Sequence, residues 1–262
     1  DIVRDLRKEL KEGKTLLGTF VWEFSSPYIS RVLASCGWDF ILVDTEHTSL
    51  SVETVGNLVA TARDWDLPSI VRVPAIERPY FSRPLDAGAA GIMVPRIETP
   101  EEVEQAVSFI KFPPLGTRGV GFGLTLTRYQ MVKPGEHAEF LNQTTLVVLQ
   151  IETKGAVERM DEVLAHEEVD VAYVGPFDLS HSLGIPGQFD HPLMISTMEK
   201  IIAGCERHGV VPGVYAHTFE AGSKWMDKGM RFFVCSGDVW LLKQKSQEVL
   251  ESYRNHLATI RR

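Results

Sequence analysis

The stretch WDFILVDTEHTSLSVETVGNLVATARDWDLPSIVRVPA, residues 38–75, decides the fold class. It contains two apolar runs, FILVD at 40–44 and SIVRVP at 69–74, and the intervening residues 52–65 repeat their apolar positions with helical spacing. Two such runs joined by a helix predict a right-handed βαβ unit with parallel strands. Both runs are almost continuously apolar, which is typical of strands that are buried on both faces.

The same unit repeats from one end of the chain to the other. Eight strands are predicted: LLGTFVW (16–22), FILVD (40–44), SIVRVP (69–74), GIMVPR (91–96), TLVVLQIE (145–152), VAYVG (171–175), VVPGVYA (210–216) and RFFVCSG (231–237). An open doubly wound sheet also alternates strands with helices, but eight units in 262 residues favour a closed barrel. The predicted fold class is therefore α/β, a (β/α)8 TIM barrel that forms a single domain over residues 1–262.

Several segments between the predicted strands have helical periodicity. They are residues 27–36, 52–65, 100–109, 156–165, 192–207 and 219–228. Residues 239–262 predict an unusually long C-terminal helix, which is either a dimerisation element or a solvent-exposed barrel helix. The interval 111–144 is long and rich in Gly and Pro, so it is expected to carry a function or structure of its own. Its position relative to the two ends of the barrel stays open.

Composition and charge exclude several classes of protein. The chain has 44% hydrophobic and 24% charged residues, and its 27 Lys and Arg against 35 Asp and Glu give a net charge of −8. This acidic balance disfavours nucleic-acid binding. No run approaches the ~18 apolar residues of a membrane span, and residues 1–15 do not resemble a signal peptide. The three cysteines, Cys36, Cys205 and Cys235, predict free thiols in a reducing compartment, with the cytoplasm as the expected location.

Two carboxylates stand at the ends of neighbouring predicted strands, where the active sites of TIM barrels lie. Glu152 ends the fifth strand and Asp178 follows the sixth, so their side chains can converge. Two carboxylates without a thiolate suit Mg²⁺ or Mn²⁺, with coordination positions left for water and substrate. In one alternative, Asp178 caps the following helix. In another, the pair are the acids of a glycosidase, although few aromatic residues near these strand ends are available to line a sugar cleft.

A candidate base and a candidate cation belong to the second and third strands. His47 follows Asp44 by three residues, and a carboxylate beside an imidazole would orient it as a general base. The alternative is a solvated loop histidine. Arg72 lies inside an apolar strand, so it requires a buried anion. Its planar fork suits a substrate carboxylate or an enolate oxygen, and a structural salt bridge is the alternative.

Three other chemistries lack the residues that they need. None of the eight predicted strands contains the Lys of a Schiff-base enzyme, and Lys154 is only near the end of one. No Ser lies in a G-x-S-x-G turn, and the glycines of GVGFG (119–123) do not follow a strand as a dinucleotide fingerprint would. If this chain stabilises a carbanion, a metal ion is therefore expected to do so.

Six segments, taken in order, resemble one enzyme family. They are VDTEHTSLS (43–51), VRVPA (71–75), LDAGAAGIMVPRIETPEE (85–102), FPPLGTRGVG (112–121), LQIET (149–153) and GPFDLS (175–180). The ordered set is similar to the HpcH/HpaI family of class II pyruvate aldolases over nearly the whole chain. The resemblance implies a TIM-barrel lyase that reversibly cleaves 4-hydroxy-2-oxo acids to pyruvate, or another 2-oxo acid, and an aldehyde through a metal-bound enolate. It also implies a homo-hexamer built as a trimer of dimers.

The resemblance also assigns roles to individual residues. The metal ion, Mg²⁺ or Mn²⁺ with Co²⁺ as a further candidate, would be held by Glu152 and Asp178. The catalytic residues would be His47 as base with Asp44 as its partner, Arg72 on the keto oxygen, and Asp86 as a second acid near the site. The substrate-binding residues would be Gln150, Gly175, Pro176 and Phe177.

Two departures from the family pattern concern the aldehyde. Phe177 is bulky where relatives often have a small residue, and the segment GTFVWEFSS (18–26) aligns imperfectly with the first strand of the family. Trp22, Tyr215 and His217 would either shape the aldehyde pocket or only pack against their neighbours.

Two other functions stay open. One is a decarboxylase of oxaloacetate-type β-keto acids that uses the same enolate. The other is a noncatalytic binding protein, against which the intact site residues argue.

Overall fold

The computed structural model describes residues 4–260, and in this range eight parallel strands pair in chain order and close into a barrel. The strands are β1 (Leu16–Val21), β2 (Phe40–Asp44), β3 (Ser69–Arg72), β4 (Gly91–Val94), β5 (Leu146–Ile151), β6 (Val171–Val174), β7 (Val211–Ala216) and β8 (Phe232–Gly237). The barrel closes between β1 and β8, where Leu16 lies opposite Phe232. The predicted TIM barrel is confirmed, and each strand lies within its predicted run.

Twelve helices occur in the described part of the chain. They are α1 (Leu6–Lys11), α2 (Tyr28–Ser35), α3 (Val52–Asp64), α4 (Arg78–Ala87), α5 (Pro100–Ile110), α6 (Pro134–Thr144), α7 (Lys154–Glu158), α8 (Met160–Val163), α9 (Pro176–Ser182), α10 (Pro192–His208), α11 (Phe219–Met226) and α12 (Asp238–Ile260). Residues 156–165 do not form one helix as predicted: residues up to 163 belong to α7 and α8, which are separated at Arg159, and residues 164–165 follow α8. A capping box starts α5, because Thr99 and Glu102 each accept a hydrogen bond from the backbone of the other.

Two apolar layers hold the barrel together. One lies between the strands and the helices, and the other fills the interior, where the rings of Phe40 and Phe232 stack 4.6 Å apart. A side chain at Gly18 would collide with the Phe40 ring, so the glycine makes room for it. Burial of each such ring contributes roughly 2–3 kcal/mol to stability.

The amino ends of the strands are closed by buried charges, which we call the basal cluster: Arg7, Lys111, Glu168 and Asp170. Arg7 Nε lies 2.5 Å from Asp170 Oδ1, and Arg7 Nη2 and Lys111 Nζ each lie 2.9 Å from Glu168 Oε2. Lys111, which is fully buried, also donates to the carbonyl oxygens of Asn142 and Thr145. Each member of the cluster therefore has a partner of opposite charge.

The long interval 111–144 carries structure of its own, as the sequence predicts. It contains a short 3₁₀ turn (Thr125–Thr127) and α6. Arg63, in the last turn of α3, donates to the carbonyl oxygens of Thr125 and Leu126 at 2.8 and 3.2 Å. Because α3 runs back towards the amino ends of the strands, this part of the interval lies at that end and not at the active-site end.

The long final helix α12 is confirmed, although residues 261 and 262 of the predicted range lie outside the described residues. Only Asp238, at its start, is buried. Several large apolar side chains of α12 are exposed: Leu242, Val249, Leu250, Tyr253, Leu257 and Ile260. Within residues 4–260, no helix has the length and apolar character needed to cross a bilayer.

Candidate active site

The carboxyl ends of the strands surround a cavity of about 390 Å³, which we call the mouth cavity. It is lined by Phe20, Trp22, His47, Arg72, Gln150, Tyr173, Gly175, Pro176, Phe177, Asp178, Tyr215, His217 and Trp240. Seven residues that the sequence singles out by role are among them: His47, Arg72, Gln150, Gly175, Pro176, Phe177 and Asp178. Asp44 and Glu152 lie behind this lining and contact Arg72 and Gln150.

The buried guanidinium of Arg72 is held by Asp44, its neighbour on the adjacent strand. Arg72 donates from Nε to Asp44 Oδ1 at 2.8 Å and from Nη2 to Oδ2 at 2.7 Å, in the bidentate geometry of a strong ion pair. Burial opposes the charge of Arg72, but the hydrogen bonds and charge of Asp44 raise its pKa above the ordinary value. The predicted pairing of Asp44 with His47 is therefore wrong, because both Asp44 oxygens face Arg72.

Glu46 is the carboxylate that lies beside His47. Glu46 Oε2 lies 3.6 Å from His47 Nε2 and 3.3 Å from Arg72 Nη1, and it makes no hydrogen bond among the described residues. Burial raises the pKa of Glu46 although the charge of Arg72 opposes the shift. The His47 side chain is 62% exposed, so it is free to exchange protons with solvent or a ligand. Glu46 is visible in the motif VDTEH, but spacing alone does not distinguish it from Asp44.

Glu152 is almost fully buried, and within residues 4–260 it has no ion pair with Lys or Arg. Its Oε1 accepts a hydrogen bond of 2.9 Å from the backbone N–H of Arg96, and its Oε2 accepts one from Gln150 Nε2. Arg96 has a left-handed backbone, with φ of 55°, which turns its N–H towards Glu152. Burial and the negative charges of Asp178 and Glu46 raise the pKa of Glu152 to about 7. Two like charges therefore lie close to a desolvated carboxylate.

Asp178 lies in the first turn of α9 and lines the mouth cavity. The residue at the N-cap position is Gly175, and no side chain caps this helix, so the alternative in which Asp178 serves as a cap is wrong. A Cβ atom at Gly175 would lie 2.8 Å from Glu152 Oε2 and 2.9 Å from Gln150 Nε2. Glycine at this position therefore leaves the space that the Glu152 carboxylate occupies.

The donor set at the mouth fits a hard divalent cation. Glu152 and Asp178 supply carboxylate oxygens, the ligands that Mg²⁺ and Mn²⁺ prefer, and no Lys or Arg of the described chain pairs with either. The raised pKa of Glu152 also reflects negative charge that a cation would neutralise. Within residues 4–260, no three His, Cys, Asp or Glu side chains are arranged to enclose an ion, so water and substrate would complete the coordination.

Asp86 lies apart from the mouth cavity within this chain. It belongs to the last turn of α4, and its Oδ1 accepts a hydrogen bond of 2.9 Å from Arg118 Nη2. The ion pair joins α4 to the long connection between α5 and α6. The structure thus brings together every site residue that the sequence singles out except Asp86, whose catalytic role stays a prediction.

The expectation of few aromatic residues near the strand ends is wrong. Six aromatic side chains line the mouth cavity in the described chain: Phe20, Trp22, Tyr173, Phe177, Tyr215 and Trp240. The Tyr173 hydroxyl is buried without a hydrogen-bond partner, and burial raises the pKa of Tyr173 well above its ordinary value. Trp22 and Tyr215, for which the sequence left a role in the aldehyde pocket open, do line the cavity. The sequence signal that could have located Phe20 as well is its inward position near the end of β1.

Comparison with known proteins places this geometry in a family. The sequence profile of HpcH/HpaI aldolase/citrate lyase matches residues 17–239. A hydroxypyruvate/pyruvate aldolase from Roseobacter denitrificans is 32% identical over 95% of this chain and 96% of its own length. The crystal structure of an HpcH/HpaI aldolase from Desulfitobacterium hafniense has a TM-score of 0.90 at 34% identity, covering 95% of this chain and 96% of that one. Macrophomate synthase has a TM-score of 0.87 at 27% identity, covering 98% and 91%.

Proposed function

The chain belongs to the HpcH/HpaI aldolase/citrate lyase family and is thus a lyase, and on this premise we propose that it is a divalent-metal-dependent class II aldolase. The reaction is the reversible cleavage of a 4-hydroxy-2-oxo acid to pyruvate, or a close 2-oxo acid, and an aldehyde. The observation that carries the proposal is a buried carboxylate, Glu152, that has no ion-pair partner in the described chain and lies behind Gln150, which lines the same cavity as the guanidinium of Arg72.

Glu152 and Asp178 are the residues that would hold the metal ion, Mg²⁺ or Mn²⁺, with Co²⁺ as a further candidate. When bound, the ion supplies the positive charge that polarises the carbonyl of the 2-oxo acid and acidifies its methyl group. Gln150 fixes Glu152 through its amide, and Arg96 fixes it through its backbone N–H. These contacts orient the carboxylate before any ligand arrives.

Arg72 provides a second positive charge to the keto oxygen of the substrate. Its Nε and Nη2 are occupied by Asp44, which leaves Nη1 as the nitrogen that can donate to a ligand. Nη1 has only long contacts, 3.4 Å to Gln150 Oε1 and 3.3 Å to Glu46 Oε2. The bidentate pair with Asp44 thus positions the guanidinium, and a fixed donor of this kind stabilises charge that develops in the transition state.

His47 acts as the general base. In the addition direction its ring accepts a proton from the methyl group of the 2-oxo acid through a water molecule, and in the cleavage direction it accepts the proton of the 4-hydroxyl group. Glu46 Oε2, 3.6 Å from His47 Nε2, stabilises the imidazolium that forms. The exposure of His47 supports exchange of this proton with solvent.

A decarboxylase of oxaloacetate-type β-keto acids is the second candidate function. Macrophomate synthase, which shares the fold over 98% of this chain, gives this alternative its support. The same cavity would bind the β-keto acid, and the two functions differ in whether the reaction requires an aldehyde.

The test is the entry of deuterium into the methyl group of pyruvate in D₂O, followed by NMR. We expect exchange with Mn²⁺ or Mg²⁺ and its loss when EDTA is added. Exchange together with aldehyde-dependent carbon–carbon bond formation supports the aldolase. Carbon dioxide release from oxaloacetate without any aldehyde activity would favour the decarboxylase, and no metal-dependent exchange would overturn both.

We propose further that the chain assembles into a homo-hexamer and is located in the cytoplasm. The exposed apolar residues of α12 support the assembly, because Leu250 and Tyr253 are 48% and 70% exposed in the single chain. The three free cysteines support a reducing compartment.

The double substitution Leu250→Glu and Tyr253→Glu is expected to reduce the particle mass measured by light scattering. Gln244→Glu on the same helix is the control, and an unchanged mass in the double variant would contradict the role of α12.

A further inference from the structure

We propose that the aldehyde acceptor of this enzyme is an uncharged aromatic aldehyde. The inference rests on the proposed aldolase function and concerns the part of the mouth cavity that the 2-oxo acid does not use. It is carried by one wall of the cavity, made by Phe20, Trp22, Phe177 and Tyr215, which we call the aromatic wall.

The mouth cavity has a polar part and an aromatic part, which meet where Arg72 Cζ lies 5.1 Å from the centroid of the Phe20 ring. Arg72, Gln150 and Asp178 form a polar side, where the 2-oxo acid would bind. In the aromatic wall, Phe20 and Trp22 stack at 4.6 Å, and Tyr215 lies 6.2 Å from both Trp22 and Phe177. The tilts of 57° and 51° in the two Tyr215 pairs present both ring faces and ring edges. An aromatic ligand can therefore stack on one ring and meet the edge of another.

The wall is held in place before any ligand binds. The Trp22 indole packs on the backbone of Gly237, where any side chain would collide with it. The buried carboxylate of Asp238 accepts backbone hydrogen bonds from Trp22, Glu23 and Phe24 at 3.1, 3.2 and 3.1 Å. The segment that follows β1 is thereby tied to the start of α12. Preorganised rings lose little conformational entropy when a ligand arrives, so their contacts contribute more to affinity.

The opposite edge of the wall is fixed by side-chain contacts. Phe177 packs edge-on against Phe189 at 4.9 Å, yet it remains 52% exposed, so its ring is open to the cavity. The Tyr215 hydroxyl lies 3.2 Å from His217 Nδ1, and this contact orients the Tyr215 ring. An apolar ligand in the cavity would bury the exposed ring of a phenylalanine at its rim, which favours binding.

Charge around the cavity opposes an anionic acceptor. Among the described lining residues, Arg72 is the only Lys or Arg, and Asp44 and Glu46 already contact it. Asp178 lines the cavity, and Glu152 lies behind it. A carboxylated aldehyde would therefore meet negative charge without a free cation to pair with. Within the aromatic wall, the hydroxyl groups of a polyhydroxylated aldehyde would meet at most two polar groups, the Trp22 indole N–H and the Tyr215 hydroxyl, which already contacts His217 Nδ1 at 3.2 Å.

The first experiment compares acceptors with pyruvate and Mn²⁺, using the intact enzyme. Benzaldehyde, cyclohexanecarbaldehyde, 4-carboxybenzaldehyde and glycolaldehyde are supplied in turn, and kcat/KM for aldol formation is measured by chromatography. We expect benzaldehyde to exceed cyclohexanecarbaldehyde by roughly tenfold, the scale of one or two ring contacts. We expect it to exceed the carboxylated and hydroxylated aldehydes by roughly 10²-fold.

The second experiment tests the wall itself. Trp22→Leu is expected to lower the ratio of benzaldehyde to cyclohexanecarbaldehyde kcat/KM by about tenfold. Because both kcat/KM values are measured on the same variant, a general loss of folded or active enzyme lowers both and leaves their ratio unchanged. Trp65→Leu, which alters a half-exposed tryptophan after α3, is the control, and its ratio is expected to match that of the wild type.

The outcomes separate this inference from the proposed function. Pyruvate deuterium exchange without an acceptor reports the proposed function alone, and its absence would overturn both. Exchange combined with a preference for 4-carboxybenzaldehyde or glycolaldehyde would overturn the aromatic acceptor and leave the aldolase standing. An unchanged ratio in Trp22→Leu would likewise overturn it.

Discussion

The two ends of the barrel hold charged residues in opposite ways. In the basal cluster at the amino ends of the strands, the buried cations Arg7 and Lys111 are both paired with Glu168, and Arg7 is also paired with Asp170. At the mouth, Arg72 is paired with Asp44, but Glu152 is buried without a cation in the described chain. Arg72, Glu152 and Lys111 are all buried, so the difference lies in how the charges are balanced.

This difference in charge pairing indicates that the two ends of the barrel have different roles. Removing one partner of a buried ion pair destabilises the fold, whereas a buried charge without a partner lowers stability and persists where function requires it. TIM barrels in general separate stability from chemistry in this way, with the active site at the carboxyl ends of the strands. The comparison predicts that isosteric substitutions at the two ends have opposite effects on activity and on stability.

Glu152→Gln is expected to have the largest effect on activity. Loss of the buried carboxylate would remove one of the two proposed metal ligands, and with it several kcal/mol of transition-state stabilisation, so deuterium exchange into pyruvate should fall by about 10³-fold or more. The melting temperature in EDTA should be unchanged or higher, because the substitution removes a desolvated charge beside Asp178 and Glu46. Retained exchange activity together with a lower melting temperature would contradict the assignment of Glu152 to function.

Arg72→Lys is expected to reduce kcat by about 10²-fold, the scale of losing one donor that faces developing charge. A lysine cannot reproduce the two parallel hydrogen bonds that hold Arg72 to Asp44, so the remaining charge would no longer be fixed. Steady-state kinetics with separate kcat and KM values is the measurement. A variant with wild-type kcat would show that Arg72 serves only as a structural partner of Asp44.

Glu168→Gln, the matched substitution in the basal cluster, is expected to lower stability and leave activity intact. It removes the carboxylate shared by Arg7 and Lys111, and Lys111 is fully buried. Breaking a buried ion pair destabilises by about 3 kcal/mol, or about 5–10 °C in melting temperature for a chain of this size. Calorimetry and the exchange assay on the same sample measure both quantities. A loss of activity at temperatures where the variant is folded would break the comparison between the two ends.

The strands and the mouth could be predicted from sequence because both depend on local signals. Apolar runs such as FILVD (40–44) mark buried strands, and in a parallel barrel the residues that follow each run meet at one end. His47 and Asp178 follow predicted strands, Arg72 and Gln150 lie near the ends of theirs, and all four meet at the mouth cavity.

Three features could not be predicted from sequence: which residue forms the ion pair with Asp44, the position of the helix α4, and the packing of the aromatic wall. Asp44 pairs with Arg72 and not with His47, because the strand register sets Asp44 beside Arg72 and spacing along one strand does not contain that information. The helix α4 was not predicted because it contains Pro79 and Pro84, and Asp86 near its end could therefore not be placed. Trp22, Phe177 and Tyr215 were linked to the aldehyde pocket from sequence. Phe20 and the packing of these rings into one wall were not predicted, because the rings lie on segments that are distant in sequence.

The smallest expected effect concerns Glu9, a largely buried carboxylate of α1 that pairs with the more exposed Arg4. Hydrogen bonds from Arg4 at 2.5 and 2.7 Å lower the pKa of Glu9 below its ordinary value of 4.5. Because the folded-state pKa is depressed, this pair stabilises the fold above about pH 4.5, and the contribution is lost as the pH falls through the folded-state pKa. Glu9→Gln should therefore reduce the free energy of unfolding by up to about 1 kcal/mol at pH 7, since Arg4 is partly exposed to screening solvent. Urea titrations should show this difference shrinking as the pH falls below 4.5, whereas a difference that stays constant with pH would mean that Glu9 acts by packing and not by its charge.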